Sequence, residues 1–258
     1  MQSAPAIEVV DLVKHYRAGD GGVIRAVDGV SLSVRPGEMV GLLGANGAGK
    51  TTTLRVLATL LRPTSGHALV AGHDVRRDPV GVRRSLGYVS ATTGVPDRLT
   101  AREIFSSFAE LHGMEGDERA SHVERLLDLL DLRTCGDRPA GRLSSGQRQR
   151  VSLGRAMVHD PPALVLDEPT NALDVVGARD LLAFLSDLRA EGRAILLSTH
   201  RLHEIEMRCD RFVIIHGGQV VASGTREGLI GGWLDGRDGE LEDAFFAAIG
   251  DRIGGRAQ

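Results

Sequence analysis

The residues best suited to chemistry form one short segment, residues 44–51, which reads Gly-Ala-Asn-Gly-Ala-Gly-Lys-Thr. It matches in full the phosphate-binding pattern G-x-x-x-x-G-K-[ST]. Glycines let successive backbone N–H groups come close to a phosphate and take positive φ angles, so such a loop wraps an anion. Lys50, one of two lysines in the chain, adds a compact charge that reaches the β- and γ-phosphates, and the Thr51 hydroxyl is placed to ligate Mg²⁺. We therefore predict a nucleotide site formed by Gly44, Ala45, Asn46, Gly47, Ala48, Gly49, Lys50, Thr51 and Thr52.

Two acidic residues, Asp167 and Glu168, follow an apolar run at residues 163–166. A buried strand that ends in acids is a common way to bring carboxylates to a magnesium–phosphate site. We predict that Asp167 belongs to the Mg²⁺ shell and that Glu168 polarises the attacking water as the catalytic residue.

The flanking residues predict the elements that position this chemistry. Residues 38–43 have the pattern of a buried strand and residues 52–61 that of a helix, so the loop stands in the required order of strand, loop and helix. The helix would direct the positive end of its dipole at the bound phosphates.

The remaining periodicity predicts a mixed α/β protein. The hydrophobic patterns of residues 101–112 and 118–130 indicate a helical block inserted between strands, and Gly217-Gly218 indicates a hairpin. Further strands are expected at 7–16, 23–34, 67–71, 86–90, 163–167, 194–198, 211–216 and 219–223, and further helices at 145–158, 175–190, 202–207 and 241–249.

The composition narrows the class of protein. The 258 residues include 42% hydrophobic and 25% charged residues, which suffices for a sizeable core. A net charge of −3 and 3% aromatic residues argue against a general nucleic-acid binder. We see no apolar run of the roughly 20 residues that span a membrane and no signal-peptide pattern, so we expect a cytoplasmic protein without direct membrane insertion. Cys135 and Cys209 lack C-x-x-C spacing and are predicted to be reduced and structural.

A third motif lies between the loop and the acids. Residues 143–147 read Leu-Ser-Ser-Gly-Gln and precede an arginine-bearing helix. Here the sequence resembles the ATP-binding cassette (ABC) ATPases, whose signature is L-S-G-G-Q, with Ser145 as a mild departure. In that family the signature of one subunit closes over ATP held by the other. The resemblance therefore implies ATP binding in trans by Ser144, Ser145, Gly146 and Gln147.

Other positions resemble the family's motifs in the expected order. Tyr16 resembles the aromatic residue that stacks on adenine, and Asp174 in Asn-Ala-Leu-Asp resembles the loop at the dimer seam. His200 resembles the switch histidine, which would contact the γ-phosphate and hold the water geometry set up by Glu168. A lone histidine at a strand end is otherwise more often structural.

One position departs further from the family. Ala91 stands where a glutamine usually couples Mg²⁺ to the membrane partner, and alanine contacts neither metal nor water. Whether Ser90, Thr92 or Thr93 substitutes for it stays open. This segment, with the following Asp97 to Thr100, resembles the sodium-exporter (Nat-type) subgroup.

The resemblance implies a complete set of expectations. The fold would be an α/β P-loop NTPase core with a mixed parallel sheet, an N-terminal antiparallel β subdomain and an inserted helical subdomain at about 99–145. Residues 1–227 would form one ABC ATPase domain and residues 228–258 a tail with one helix. The chain would hydrolyse ATP with Mg²⁺, pair with a second copy and power transport, in the export direction, through separate integral membrane permease subunits. It would be peripheral on the inner face of the cell membrane, with residues 99–137 carrying the permease-docking surface.

The alternative is a soluble, non-transport ABC ATPase. The DNA-repair type carries coiled coils or zinc modules, and the translation-factor type usually has two cassettes joined by a charged linker; this sequence resembles neither. A phosphate-loop kinase or GTPase would leave residues 143–147 unexplained. A metal site at His200, His203 and Glu204, or a nucleic-acid stripe at Arg148, Arg150 and Arg155, is less economical than the family roles.

Overall fold

The computed structural model describes residues 4–17, 19, 21–90, 94–234 and 239–254, the last four of these by their backbone alone. The strands are β1 (Ile7–Arg17), β2 (Val23–Val34), β3 (Met39–Leu43), β4 (Ser65–Val70), β5 (His73–Asp74), β6 (Leu86–Val89), β7 (Ala163–Asp167), β8 (Ala194–Thr199), β9 (Arg211–His216) and β10 (Gln219–Gly224). The helices are α1 (Lys50–Leu57), α2 (Pro79–Ser85), α3 (Ala101–Leu111), α4 (Gly116–Leu129), α5 (Ser145–Met157), α6 (Val175–Ala190), α7 (Leu202–Ile205), α8 (Arg226–Trp233) and α9 (Leu241–Gly254), with a 3₁₀ turn at Ala140–Arg142.

The strands form two sheets, as the sequence predicts. A six-stranded sheet has the order β10-β9-β3-β8-β7-β6, in which only the β9–β10 pair is antiparallel. A second, antiparallel sheet has the order β2-β1-β4-β5 and consists of the N-terminal strands. The predicted fold class is confirmed.

The central strands β3, β7 and β8 of this sheet are buried along their whole length, which explains their continuous apolar sequences. In β3, Met39 and Leu43 belong to a core shared with the helical block, whereas Val40 and Leu42 belong to a core shared with α1 and the antiparallel sheet. This alternation follows from the two-residue period of a strand. The parallel pairing of β3 with β8 and of β8 with β7 places the carboxyl ends of these three strands side by side at one edge of the sheet.

The first helix differs from its prediction at both ends. It begins at Lys50 rather than residue 52, inside the phosphate loop, and ends at Leu57 rather than residue 61. The early end arises because Thr59 takes a left-handed conformation with φ 59°. The N–H groups of Leu60 and Leu61 then bond back to the carbonyl of Arg55, which closes the last turn.

Two helices and one short strand were not predicted: α2, α8 and β5. Helix α8 contains three glycines, which lower its intrinsic helix propensity. It is stabilised by the Thr225 side chain, which accepts from the Gly228 N–H, and by burial of Leu229. In the part of the chain that the structure describes, we find no helix long and apolar enough to cross a bilayer.

Candidate nucleotide site

The phosphate loop joins β3 to α1, and its glycines satisfy different demands. Gly47 (φ 80°) and Gly49 (φ 110°) take left-handed conformations. A Cβ atom on Gly49 would also lie 2.5 Å from the Ala26 carbonyl oxygen. Gly44 has an ordinary φ, but a Cβ there would lie 2.4 Å from the Ile215 carbonyl oxygen. The motif is therefore required both by backbone conformation and by close packing against β2 and β9.

Lys50 is the first residue of α1 and is almost enclosed, with 6% of its side chain exposed. Its Nζ donates to the carbonyl oxygens of Gly44 at 2.6 Å and Ala45 at 3.4 Å. It lies 3.7 Å from Glu168 Oε1. Burial lowers the pKa of the Lys50 ammonium, and the charges of Glu168 and Asp167 oppose part of that shift.

Asp167 ends β7 and is the meeting point of two hydroxyl groups. Thr51 Oγ1 donates to Asp167 Oδ1 at 3.1 Å, and Ser198 Oγ donates to the same oxygen at 2.7 Å. Asp167 and Ser198 are buried and Thr51 is half-buried, and both hydroxyl oxygens lie within hydrogen-bond distance of the Asp167 carboxylate. Carboxylate and hydroxyl oxygens are the ligands that Mg²⁺ prefers, so the residues present fit that ion.

Glu168 follows directly and has an unusual backbone. Its φ is 53°, a left-handed value that is costly for a residue with a side chain. Its N–H donates to both the backbone oxygen and Oγ of Ser198, at 3.1 and 3.2 Å. Glu168 Oε2 lies 2.8 Å from His200 Nδ1, so the pair predicted as catalytic is in hydrogen-bond contact.

A cavity of about 510 Å³ opens above these groups. It is lined by the described residues Tyr16, Ile24, Arg25, Ala26, Ala45, Asn46, Gly47, Ala48, Gly49, Lys50, Thr51, Thr52, Glu168, Asn171 and His200. The structure thus brings the phosphate loop, the predicted aromatic residue, the predicted base and the predicted switch histidine to one cavity. Tyr16 lies at its rim, where Lys14 Nζ is 5.0 Å from the ring centroid.

The residues predicted to act in trans are placed elsewhere. Ser144 caps α5, where its hydroxyl accepts from the Gln147 N–H and Gln147 Oε1 accepts from the Ser144 N–H. Among the described residues, none of 144–147 lines the cavity above Lys50. Ser145 instead lines a separate cavity of about 360 Å³ that also touches Ser90 and Glu168. A Cβ on Gly146 would meet nothing within 4 Å, and Ser144 and Ser145 are exposed.

The departure from the family signature is explained by backbone conformation. Ser145 is the first residue of α5 and is absent from the residues with positive φ. A side chain is therefore accommodated where the family has glycine.

Asp174 caps α6 by accepting from the Gly177 N–H at 2.7 Å and is exposed. Ala91, Thr92 and Thr93 lie outside the described residues.

Comparison with known proteins agrees with this architecture. The model of the ABC transporter family matches residues 27–171. NatA of Bacillus subtilis (strain 168), an ABC transporter ATP-binding protein, is 39% identical over 208 residues, which are 80% of this chain and 85% of NatA. The chain belongs to the ABC transporter family. The similarity to NatA also confirms the predicted Nat-type resemblance.

Other members of the family show the same extent of similarity. The doxorubicin resistance ATP-binding protein DrrA of Mycobacterium tuberculosis (strain CDC 1551 / Oshkosh) is 37% identical over 238 residues, 90% of this chain and 72% of DrrA. ATP-binding cassette sub-family A member 2 of Rattus norvegicus is 37% identical over 230 residues, 89% of this chain but 9% of that protein. The chain is thus an ABC transporter ATP-binding subunit.

Solved structures of ABC cassettes superpose on this one. An ATP binding subunit of an ABC transporter matches with a TM-score of 0.83 and 31% identity, over 95% of this chain and 99% of the other. The dimeric structure of the bacterial ABC transporter cassette MJ0796 matches with a TM-score of 0.76 and 27% identity, over 85% of this chain and 98% of the other.

Two residues near the site, Ser198 and Glu204, were not predicted from the sequence. Ser198 bonds both predicted acids, although a serine at a strand end gives no distinctive signal. Thr170 Oγ1 donates to Glu204 Oε2 at 2.6 Å, and Arg201 donates to the other oxygen of Glu204 at 3.0 Å. Glu204 therefore joins the segment after Glu168 to the segment after His200. We read Glu204 from the sequence as an ordinary helix residue, because only the fold brings Thr170 to it.

Proposed function

We propose that this chain hydrolyses ATP to ADP and phosphate and thereby powers export through a separate membrane permease. The observation that carries the proposal is the convergence of Lys50, Glu168 and His200 on one cavity beside the Thr51–Asp167 pair. Membership of the ABC transporter family supports the coupling of ATP hydrolysis to transport.

The chemistry assigns each group a task. The loop N–H groups and Lys50 bind the phosphates, and Tyr16 stacks on the base. A water oxygen forms the new bond to the γ-phosphorus while the bond to ADP breaks. Glu168 accepts a hydrogen bond from that water and holds it in line. His200, which contacts Glu168 Oε2 through Nδ1, presents its remaining ring nitrogen to the γ-phosphate.

Thr51 and Asp167 would hold Mg²⁺. When bound, this ion neutralises charge on the β- and γ-phosphate oxygens. Their hydroxyl and carboxylate oxygens already lie together in the structure, 3.1 Å apart. The chain's own contribution is to hold the buried Asp167 carboxylate and the half-buried Thr51 hydroxyl together at the edge of the sheet.

The active assembly is a head-to-tail homodimer. Residues 144–147 do not line the cavity above Lys50 in their own cassette, and they form the N-terminal end of α5, where Ser144 and Ser145 are exposed. A helix N-terminus of this kind suits an anion supplied by another subunit. Similarity to a dimeric cassette supports the arrangement. Asp174, which is exposed at the start of α6, would lie at the dimer seam.

The permease would dock beside the helical block. A groove of about 690 Å³ lies between α2, α3 and the end of α5. It combines exposed apolar side chains, such as Leu111, which is 78% exposed, with Arg83 and Arg84. This mixture of apolar and cationic surface supports docking of a membrane protein's cytoplasmic segment, which would keep the chain peripheral on the inner face of the membrane. Export is favoured by the similarity to a doxorubicin resistance protein.

We propose residues 1–227 as the ABC ATPase domain, with the helical subdomain at about 99–145, and residues 228–258 as a tail. Helix α8 extends across the position of this boundary, and α9 follows it. The tail contacts the cassette through the Leu241 N–H, which donates to Glu206 Oε1 at 3.2 Å; Arg226 Nε, near the end of the domain, donates to the same oxygen at 2.7 Å.

The Glu168→Gln variant tests the proposal. Glutamine keeps the size of the side chain but binds the attacking water more weakly, so we expect ATP turnover to fall by at least about 100-fold. The ATP-bound dimer should then accumulate and elute earlier in size-exclusion chromatography with Mg-ATP. Glu227→Gln, on exposed α8, is the control and should behave as the wild type. A Glu168→Gln protein that turns over normally, or stays monomeric with ATP bound, would contradict the mechanism.

A further inference from the structure

Ser198 lies at the carboxyl end of β8, directly beside Asp167 in the parallel β7–β8 pair. Its exposed fraction is 0%, and its hydroxyl donates to Asp167 Oδ1 at 2.7 Å. A buried hydroxyl needs a hydrogen-bond partner. Any hydrogen-bond acceptor would satisfy the hydroxyl, but the acceptor here is Asp167, the predicted Mg²⁺ ligand.

The same hydroxyl has a second contact. Ser198 Oγ accepts from the Glu168 N–H at 3.2 Å, and the Ser198 carbonyl oxygen accepts from it at 3.1 Å. A serine hydroxyl has one proton to donate and lone pairs that accept. The bonds therefore run in one direction, from the Glu168 backbone through Ser198 to the Asp167 carboxylate.

This arrangement connects the two acids whose roles differ. Asp167 is the proposed metal ligand, and Glu168 is the proposed base. Glu168 has a φ of 53°, which must be held by its surroundings. Thr51 also donates to Asp167 Oδ1, but Thr51 is itself a proposed Mg²⁺ ligand. Of these two hydroxyl groups, the one on Ser198 is not itself a proposed Mg²⁺ ligand.

We propose that Ser198 is a positioning residue, which orients the Asp167 carboxylate for Mg²⁺ and fixes the backbone of Glu168. The proposal rests on the proposed function. Removal of a group that orients a metal ligand typically weakens metal binding or activity by roughly 10–100-fold. We expect the lower end of this range, because Thr51 remains as a second donor to Asp167.

The test compares Ser198→Ala with Ser198→Thr and with Ser186→Ala. Threonine keeps the hydroxyl. Ser186 is a remote matched control, whose hydroxyl donates to the Leu182 carbonyl oxygen on α6. The probe is a fluorescent, non-hydrolysable ATP analogue, whose affinity is measured in EDTA and over a series of Mg²⁺ concentrations. Steady-state kcat and KM for ATP, together with thermal unfolding, are measured on the same proteins.

We expect Ser198→Ala to bind the analogue in EDTA within about twofold of the wild type. The Mg²⁺ concentration that gives half of the affinity gain should rise roughly tenfold, and kcat should fall more than KM rises. Ser198→Thr should restore most of both, and Ser186→Ala should match the wild type. If Ser198→Ala does not fold, Ser198→Cys is measured instead, since a thiol preserves the volume but donates weakly.

An unchanged Mg²⁺ midpoint overturns the inference, as does an equal loss of affinity with and without Mg²⁺. A wild-type protein that shows the Mg²⁺ effect but does not hydrolyse ATP refutes the proposed function instead. The comparison of Ser198 variants remains decisive in that case, because it is measured by binding.

Discussion

At the scale of single residues, the site depends on one buried cation among carbonyl and carboxylate oxygens. Burial removes much of the water around the Lys50 ammonium. Its two carbonyl contacts and the nearby Glu168 carboxylate replace part of that lost hydration. An incoming phosphate can exchange with these contacts. Burial lowers the pKa of Lys50, as expected for a charge that is fully stabilised only when an anion is bound.

We expect Lys50→Arg to bind ATP as poorly as Lys50→Ala. The Lys50 ammonium is almost enclosed and lies 2.6 Å from the Gly44 carbonyl oxygen, and the longer, planar guanidinium of arginine cannot reproduce the position of this compact charge. Losing one charge-assisted contact to phosphate should weaken binding roughly ten- to hundredfold. Equilibrium binding of a fluorescent ATP analogue measures this. Lys14→Arg, at the chain's other lysine, is the matched control and should bind normally; a Lys50→Arg protein with wild-type affinity would disprove the steric argument.

The sequence predicts residues of this site whose type alone carries the chemistry. Lys50, Asp167 and Glu168 stand in short motifs whose residue types and local order are typical of phosphate and Mg²⁺ binding. Ser198 could not be predicted, because its importance comes from the register of β7 against β8. The same holds for Glu204, whose partner Thr170 is 34 residues away in the chain. The placement of Ser144 as a helix cap was predictable, since Gln147 completes a capping box three residues later.

At the scale of elements, the helical block is attached to the sheet through ring stacking as well as apolar packing. His112 follows α3, and His159 lies just beyond α5. Their rings are parallel, with centroids 4.0 Å apart. Periodicity predicts α3 and α5 but does not indicate this contact, because neither histidine belongs to the apolar pattern. The short helix α2 was not predicted either, although Asp78 and Pro79 are typical of a helix start.

We expect this stack to make the stability of the fold depend on pH. Burial, and secondarily the charge of His112, lowers the pKa of His159 from 6.5 to about 4. The unfolded chain therefore binds a proton below pH 6.5 that the folded chain refuses, so this stabilisation is complete above pH 6.5 and lost as the pH falls towards 4. After allowance for solvent screening, the unfolding free energy should fall by roughly 1 kcal/mol between pH 7 and 5.

Urea unfolding at both pH values measures this effect. His159→Phe keeps an aromatic ring without a titratable group and should remove that part of the pH dependence. His203→Phe, at an exposed position, should leave it unchanged. Equal pH dependence in His159→Phe and the wild type would show that His159 is not its source.

At the scale of the whole molecule, the proposed dimer requires each cassette to supply two separate halves of a nucleotide site. One half is the cavity above Lys50, and the other is the exposed start of α5 at residues 144–147. Two copies related by a twofold axis can join each half to the complementary half of the partner, which gives two equivalent composite sites. A single cassette would have no such complete site, so this geometry predicts a specific result when two defective variants are mixed.

Lys50→Ala disables the loop half, and Ser144→Arg blocks the signature half with a bulky cation. Each variant alone should lack ATPase activity, because both of its composite sites carry one defect. In a heterodimer, the intact loop of one subunit faces the intact signature of the other, while both defects meet in the second site. If one intact site suffices for turnover, an equimolar mixture should regain about a quarter of the wild-type rate, since half of the dimers are mixed and each has one working site of two. Phosphate release from the mixture measures this recovery. Mixtures that stay inactive although cross-linking shows the heterodimer would mean that each ATP is not shared between subunits in the proposed way.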